Sequence, residues 1–223
     1  MNHTTLTARL GALCLVTGAG LGLVSVLLRT TLSEDASDQV AALSAHHDAV
    51  FAGVGLSSVA ILVWLGGVLW LASALRPAAP RSALVGAALG VVGTAAVLFA
   101  NGASAAAYAA ATGLGTHDAA SLLDRMGSGA EIADPFALLG DIAFIVLAID
   151  AARAGAARWA VAGVIVGAVA EGGGFAVGSS VLAIVGFALL LVSLGAIART
   201  MLHDASRTAA RVDAVTDAAS ARA

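Results

Sequence analysis

Ionisable side chains inside apolar segments are the residues of this sequence most suited to chemistry, and Asp141 is the clearest of them. It lies near the middle of an apolar run, in Leu139-Gly-Asp-Ile, with Asp134 seven residues earlier on the same helix face. A charge at the centre of a membrane helix costs roughly 2.5–3.5 kcal/mol on insertion scales, so such a residue suggests a function. Asp141 could carry a proton or anchor a substrate. The alternative is a protonated or hydrogen-bonded carboxyl group that joins two helices.

Other polar residues could accompany Asp141 in a pocket. Thr94, Asn101 and Tyr108 follow one another at seven-residue intervals and form one polar stripe on a helix. Together with Asp134, Asp141 and the pair His46-His47, this stripe could line a cavity that opens to the outside. The alternative is that these residues form hydrogen bonds between helices and anchor them at the interface.

Glu171 is the second acidic residue of an apolar segment, and its position depends on Gly172, Gly173 and Gly174, which follow it. Three glycines weaken a helix. Glu171 is buried if its helix continues to Gly178, and it lies at the outer surface if the helix stops at the glycines.

Several kinds of site lack their usual motif in this sequence. The adjacent residues His46 and His47 point to different sides of a helix, and no HxxxH or HExxH pattern occurs. The lone Cys14 can form neither an internal disulfide nor a CxxC pair. The GxSG and GxGD motifs of intramembrane proteases are missing, as are the histidine pairs of membrane cytochromes. The sequence therefore predicts no catalytic residue, no metal site and no cofactor.

Composition indicates that membrane helices must position these residues. The 223 residues are 60% hydrophobic and 11% charged, with a mean hydropathy of +0.96, whereas a soluble domain is about 25% charged. A membrane helix needs about 20 apolar residues. We predict an all-α polytopic bundle within residues 1–200, followed by a disordered cytoplasmic tail at 201–223. Its six transmembrane helices are predicted at about 10–28, 51–75, 82–107, 134–152, 159–178 and 181–199.

Two further features are also predicted. The second helix is expected to begin outside the membrane at Ser33, next to Glu34 and Asp35, and to bend near Gly53 and Gly55. The linker between the third and fourth spans contains a short helix over Thr116–Met126.

The arginines predict the orientation of this bundle, because short loops rich in arginine stay in the cytoplasm. With both termini cytoplasmic, only Arg29 and Arg125 lie outside. The nine cytoplasmic arginines are Arg9, Arg76, Arg81, Arg153, Arg158, Arg199, Arg207, Arg211 and Arg222. The chain contains no lysine, which we interpret as the codon bias of a high-GC bacterial genome.

A shift of 77 residues aligns Arg76 with Arg153 and Gly86 with Gly163, so the two inner hairpins could be a repeat. The other explanation is chance matching in a chain rich in alanine and glycine.

The six helices, the acidic first outer loop, the RPxxPR turn and the short fourth helix resemble small bacterial multi-pass proteins of a domain-of-unknown-function family. This resemblance implies a location in the bacterial plasma membrane and no known activity. Our leading hypothesis is a non-enzymatic structural or partner subunit, which contacts lipid and binds itself or other membrane proteins through glycine faces but binds no nucleic acid. The alternative is a small transporter or ligand-binding protein with an outward-facing pocket around Asp141.

Overall fold

The structure is a computed structural model that describes residues 3–29, 35–130 and 134–220, with side chains over 6–29, 35–126 and 135–203. Within these ranges all regular secondary structure is helical. The helices are α1 (His3–Leu28), α2 (Ala36–Leu75), α3 (Pro80–Ala111), α4 (Thr116–Ala130), α5 (Asp134–Arg153), α6 (Arg158–Ala176) and α7 (Ser180–Ser220).

Six of these helices are long and apolar enough to cross a bilayer, and α4 is the exception. The candidate spans are Leu6–Leu28, Ala36–Leu75, Pro80–Ala111, Pro135–Arg153, Arg158–Ala176 and Ser180–His203. This agrees with the predicted number of crossings and supports a multi-pass membrane protein.

The six long helices form a closed ring in the order α1, α2, α3, α5, α6, α7, in which α7 returns to pack against α1. Their inward faces share one hydrophobic core, with Leu147, Leu190 and Ile197 fully buried. At its centre, the Trp64 ring lies 4.4 Å from that of Phe144 and 5.9 Å from that of Phe187. Many large apolar side chains instead point outward, as expected of a surface that faces lipid.

Two short links lie at one end of the ring, which we call the arginine end because Arg76, Arg81, Arg153 and Arg158 flank them. In the first link, Pro80 occupies the first turn of α3, where a missing N–H costs no hydrogen bond. In the second link, Gly155 has a φ of 99°, a conformation that favours glycine. We call the opposite end the α4 end.

The helix α2 is longer than the predicted span and bends at a different place. It begins after Asp35, whose carboxylate accepts a hydrogen bond of 2.7 Å from the Ser37 backbone N–H. The expected start at Ser33 lies outside the described residues. The non-helical residue is His46 (φ −141°, ψ 42°), whereas the bend was expected at Gly53 and Gly55. Gly53 stays helical because it packs closely against Ser25 and Arg29 of the α1 end.

The α4 end carries a second hydrophobic cluster, the cap cluster, formed by the first turns of α2, the last turns of α3 and the helix α4. The predicted short helix is present and extends to Ala130. Its Leu123 is buried, and Leu122 and Met126 pack against the same cluster. The buried members are Val40, Leu43, Val50, Ala107, Ala111, Ala119 and Leu123. The cap cluster therefore covers the part of α3 that carries Tyr108.

The last helix, α7, continues through Ser220, across most of the segment that was expected to be disordered. This segment is rich in alanine and arginine, which have high helix propensity, so a helix can form without an apolar face.

Candidate functional site

Two acidic side chains meet between α5 and α6. The carboxyl groups of Asp141 and Glu171 lie close enough to interact with each other, and both side chains are half-buried. The helix α6 continues through Gly172–Gly174 to Ala176, so Glu171 lies within a candidate span and not beyond its end. This contact joins the two acidic residues that the sequence placed in different apolar segments.

Glycines bring these two helices together. An ideal Cβ atom on Gly172 would lie 2.8 Å from Asp141 Oδ2, so a larger residue there would push the carboxylate away. On the other side of α6, a Cβ atom on Gly186 of α7 would clash with Glu171. The acidic pair is therefore confined on two sides by close helix packing.

This pair can hold and release a proton. A hydrogen bond between two carboxyl groups needs one proton, because two carboxylates have only acceptors. Two carboxyl groups in contact also titrate together, so the proton belongs to the pair and not to one residue. The arrangement is chemically suited to proton exchange.

A second polar cluster lies where α1 ends beside α2 and α3, and we call it the Arg29 cluster. Arg29 Nη2 donates a hydrogen bond of 3.0 Å to Asn101 Oδ1. Asn101 Nδ2 donates one of 3.1 Å to Ser57 Oγ. Tyr108 lies seven residues after Asn101 on α3, and its ring centroid is 6.3 Å from that of Phe51. Asn101 is thus an interhelical hydrogen-bonding residue, one of the two roles the sequence allowed.

The remaining predicted residues lie outside these two contacts. Thr94 is buried on α3, seven residues before Asn101. His46 forms the bend in α2. His47 Nδ1 lies 3.1 Å from Asp48 Oδ1, and its ring lies 4.7 Å from that of Phe51. Asp134 begins α5, but its side chain lies outside the described residues.

The predicted pocket residues are therefore distributed over two helix groups. Asp141 and Glu171 meet on α5 and α6, while Asn101 of α3 contacts Arg29 and Tyr108 of α3 packs near Phe51. The sequence reasoning missed Arg29 and Ser57. Arg29 was predicted to lie in an outer loop. Its position directly after an apolar run was a signal that its side chain could lie against the bundle.

An open depression lies at the α4 end, between the start of α2 and α4. Its volume is about 430 Å³, and it is lined by Asp35, Ala36, His117, Ala120, Ser121 and Asp124. Hydrogen bonds from the Ser37 hydroxyl and backbone lower the pKa of the Asp35 carboxyl. Over the described residues, no group of three or more His, Cys, Asp or Glu side chains could hold a metal ion.

No family model, curated protein or solved structure matches this chain. The resemblance to small bacterial multi-pass proteins stays a prediction, and the arguments about function rest on the two polar clusters.

Proposed function

We propose that this chain is a small proton-linked transporter of a bacterial plasma membrane. The observation that carries the proposal is the close approach of the Asp141 and Glu171 carboxyl groups within two apolar helices. Ionisable residues at such depth are costly, and proton relays built from acidic residues are a recurrent reason for keeping them.

The helix α6 supplies a means of coupling the proton to movement. When the pair loses its proton, two carboxylates face each other and repel, since they share a site with little water. Glu171 is followed directly by Gly172, Gly173 and Gly174. Each glycine weakens the helix by about 1 kcal/mol relative to alanine. The last turn of α6 can therefore move away from α5 when the proton leaves.

Proton flux into liposomes tests this proposal. The purified chain is reconstituted with a pH-sensitive dye inside the vesicles, and a potassium gradient with valinomycin drives protons inward. We expect Asp141→Asn and Glu171→Gln each to reduce the flux at least about tenfold, as expected when a proton carrier is removed. The matched control is Asp124→Asn, an exposed acid on α4 that should leave the flux unchanged.

Infrared spectroscopy of the same proteins separates transport from a structural role. The wild type should show the carbonyl band of a protonated carboxylic acid, and Asp141→Asn should change it. A protonated acid without any proton flux would mean that the pair only joins α5 to α6, and the transport proposal would be wrong.

A partner subunit is the second candidate function, and two glycines favour it. A Cβ atom on Gly55 of α2 or Gly102 of α3 would meet nothing within 4 Å, and both residues are exposed. Exposed glycines on membrane helices allow another helix to approach closely. Other glycines instead contact the chain's own helices, such as Gly18 against Trp64 and Gly86 against Leu147.

A further inference from the structure

Arg29 carries a positive charge into the bundle at the α4 end. It follows the last turn of α1, and its backbone N–H still donates a hydrogen bond of 3.1 Å to the Ser25 carbonyl. The side chain is partly buried and lies between α2 and α3, where Asn101 accepts from it. The guanidinium is therefore held by the fold.

The chain makes room for this arginine with a glycine. A Cβ atom on Gly53 of α2 would lie 2.9 Å from Arg29 Cγ and 3.1 Å from the Ser25 carbonyl oxygen. Any larger residue at position 53 would displace the arginine stem. Beyond the stem, Asn101 and Ser57 continue the polar contacts with neutral groups.

The guanidinium is not neutralised by the described part of the chain. The ion pairs there join His47 to Asp48 and Arg153 to Asp150, and neither includes Arg29. Its Nε atom is enclosed by protein and has no hydrogen-bond partner among the described residues. A guanidinium has five N–H donors, and a buried charge without a counter-ion is strongly unfavourable.

We propose that the Arg29 cluster binds an anionic oxygen group, a phosphate or a carboxylate, at the α4 end. The planar guanidinium matches the paired oxygens of these groups and forms charge-assisted hydrogen bonds with them. Such a group could come from the headgroup of an anionic lipid, because α1 ends here, or from a small solute. This site is independent of the Asp141–Glu171 pair.

Thermal unfolding of the purified full chain in an uncharged detergent tests the proposal. One arm adds inorganic phosphate against chloride at equal ionic strength, which removes general screening. The other arm adds phosphatidylglycerol against phosphatidylcholine. A saturable rise in the melting temperature in the first arm identifies a soluble oxyanion, and a rise in the second arm alone identifies a lipid headgroup. No rise in either arm would overturn the proposal.

Four variants locate the effect. Arg29→Gln should weaken the apparent Kd about tenfold or more, which corresponds to a loss of at least about 1.4 kcal/mol. Arg76→Gln, an exposed arginine at the other end, should keep the full response. Asn101→Asp supplies an internal carboxylate beside Arg29, so it should raise the melting temperature without ligand and abolish the response. It also keeps the test available if Arg29→Gln does not fold.

The fourth variant, Glu34→Gln, tests whether the acid five residues after Arg29 in the sequence is the counter-ion. It should leave both the stability and the response unchanged. Three outcomes would contradict the anion site. The first is an equal loss of response in Arg29→Gln and Arg76→Gln, and the second is a response that persists in Asn101→Asp. The third is a loss of stability in Glu34→Gln.

Discussion

A buried carboxylate at the arginine end depends on a single partner. Asp150 is only 1% exposed, and its Oδ1 accepts a hydrogen bond of 2.7 Å from Arg153 Nη1. Its Oδ2 is enclosed and has no hydrogen-bond partner in the described part of the chain. The Arg153 side chain is 66% exposed, but removing it leaves the buried Asp150 carboxylate uncompensated, which usually costs more than replacing both residues.

We therefore expect Arg153→Met to lower the free energy of unfolding by about 1–3 kcal/mol, the usual cost of leaving a buried polar group unsatisfied. The double variant Asp150→Asn/Arg153→Met should recover much of this loss, since no charge remains. Reversible unfolding in mixed micelles measures these two variants and the single variant Asp150→Asn. If the effects of Asp150→Asn and Arg153→Met simply add in the double variant, the pair contributes nothing.

Single residues were predictable where the signal is local. An acid inside an apolar run identified Asp141, and Asp150 and Arg153 have the three-residue spacing at which helical side chains of opposite charge pair, as they do in the structure. The contact with Glu171 was not predictable, because it depends on the register of α5 against α6 and on whether α6 continues through three glycines. Arg29 was missed since a residue at a helix end can turn either to the headgroups or into the bundle.

Glycines determine how closely the helices approach one another. On α3, a Cβ atom on Gly86 would lie 2.7 Å from Leu147 of α5, and one on Gly93 would clash with the backbone of Gly140. On the same helix, Gly102 faces open space. The helix α3 therefore has one glycine surface used within the chain and one glycine available to a neighbour.

Leucine substitutions on α3 should separate these two uses. We expect Gly86→Leu to destabilise the isolated chain by about 1–3 kcal/mol, because Leu147 is fully buried and cannot move aside. Gly102→Leu should leave the melting temperature of the isolated chain unchanged. If the partner-subunit function is correct, Gly102→Leu should also reduce crosslinking of the chain in membranes. Equal destabilisation by both variants would contradict the assigned surfaces.

Elements were predictable from hydropathy, but their bends and extensions were not. The number of spans and the position of α4 follow from the length of the apolar runs and the polar linker. The bend in α2 occurs at His46 and not at a glycine, because the cap cluster ties residues 36–45 to α4 while Gly53 is fixed against α1. Such packing involves residues distant in the sequence, which local patterns do not reveal.

At the scale of the whole molecule, the described arginines are concentrated at one end of the ring. The links that flank α3 and α6 bring four arginines to the arginine end, and Arg29 at the opposite end is hydrogen-bonded to Asn101. The positive-inside rule predicts that an end with arginines in short links is cytoplasmic, and this orientation stays a prediction.

Cysteine labelling in intact cells tests this orientation. In a Cys14→Ser background, a membrane-impermeant maleimide should label Gly115→Cys, at the α4 end, in intact cells. It should label Ala78→Cys, in the first link, only after the cells are permeabilised. The reverse pattern would place the termini outside and the acidic pair nearer the cytoplasm.

The central aromatic contact gives the chain an optical reporter of its own. Trp64 is 5% exposed between Phe144 and Phe187, whereas Trp159 is 59% exposed, and these are two of the three tryptophans. A quencher dissolved in the acyl chains can reach Trp159 but not Trp64. In a Trp70→Phe background, the fluorescence that survives such a quencher comes from Trp64 in the middle of the ring, and it will fall as soon as α2, α5 and α7 separate.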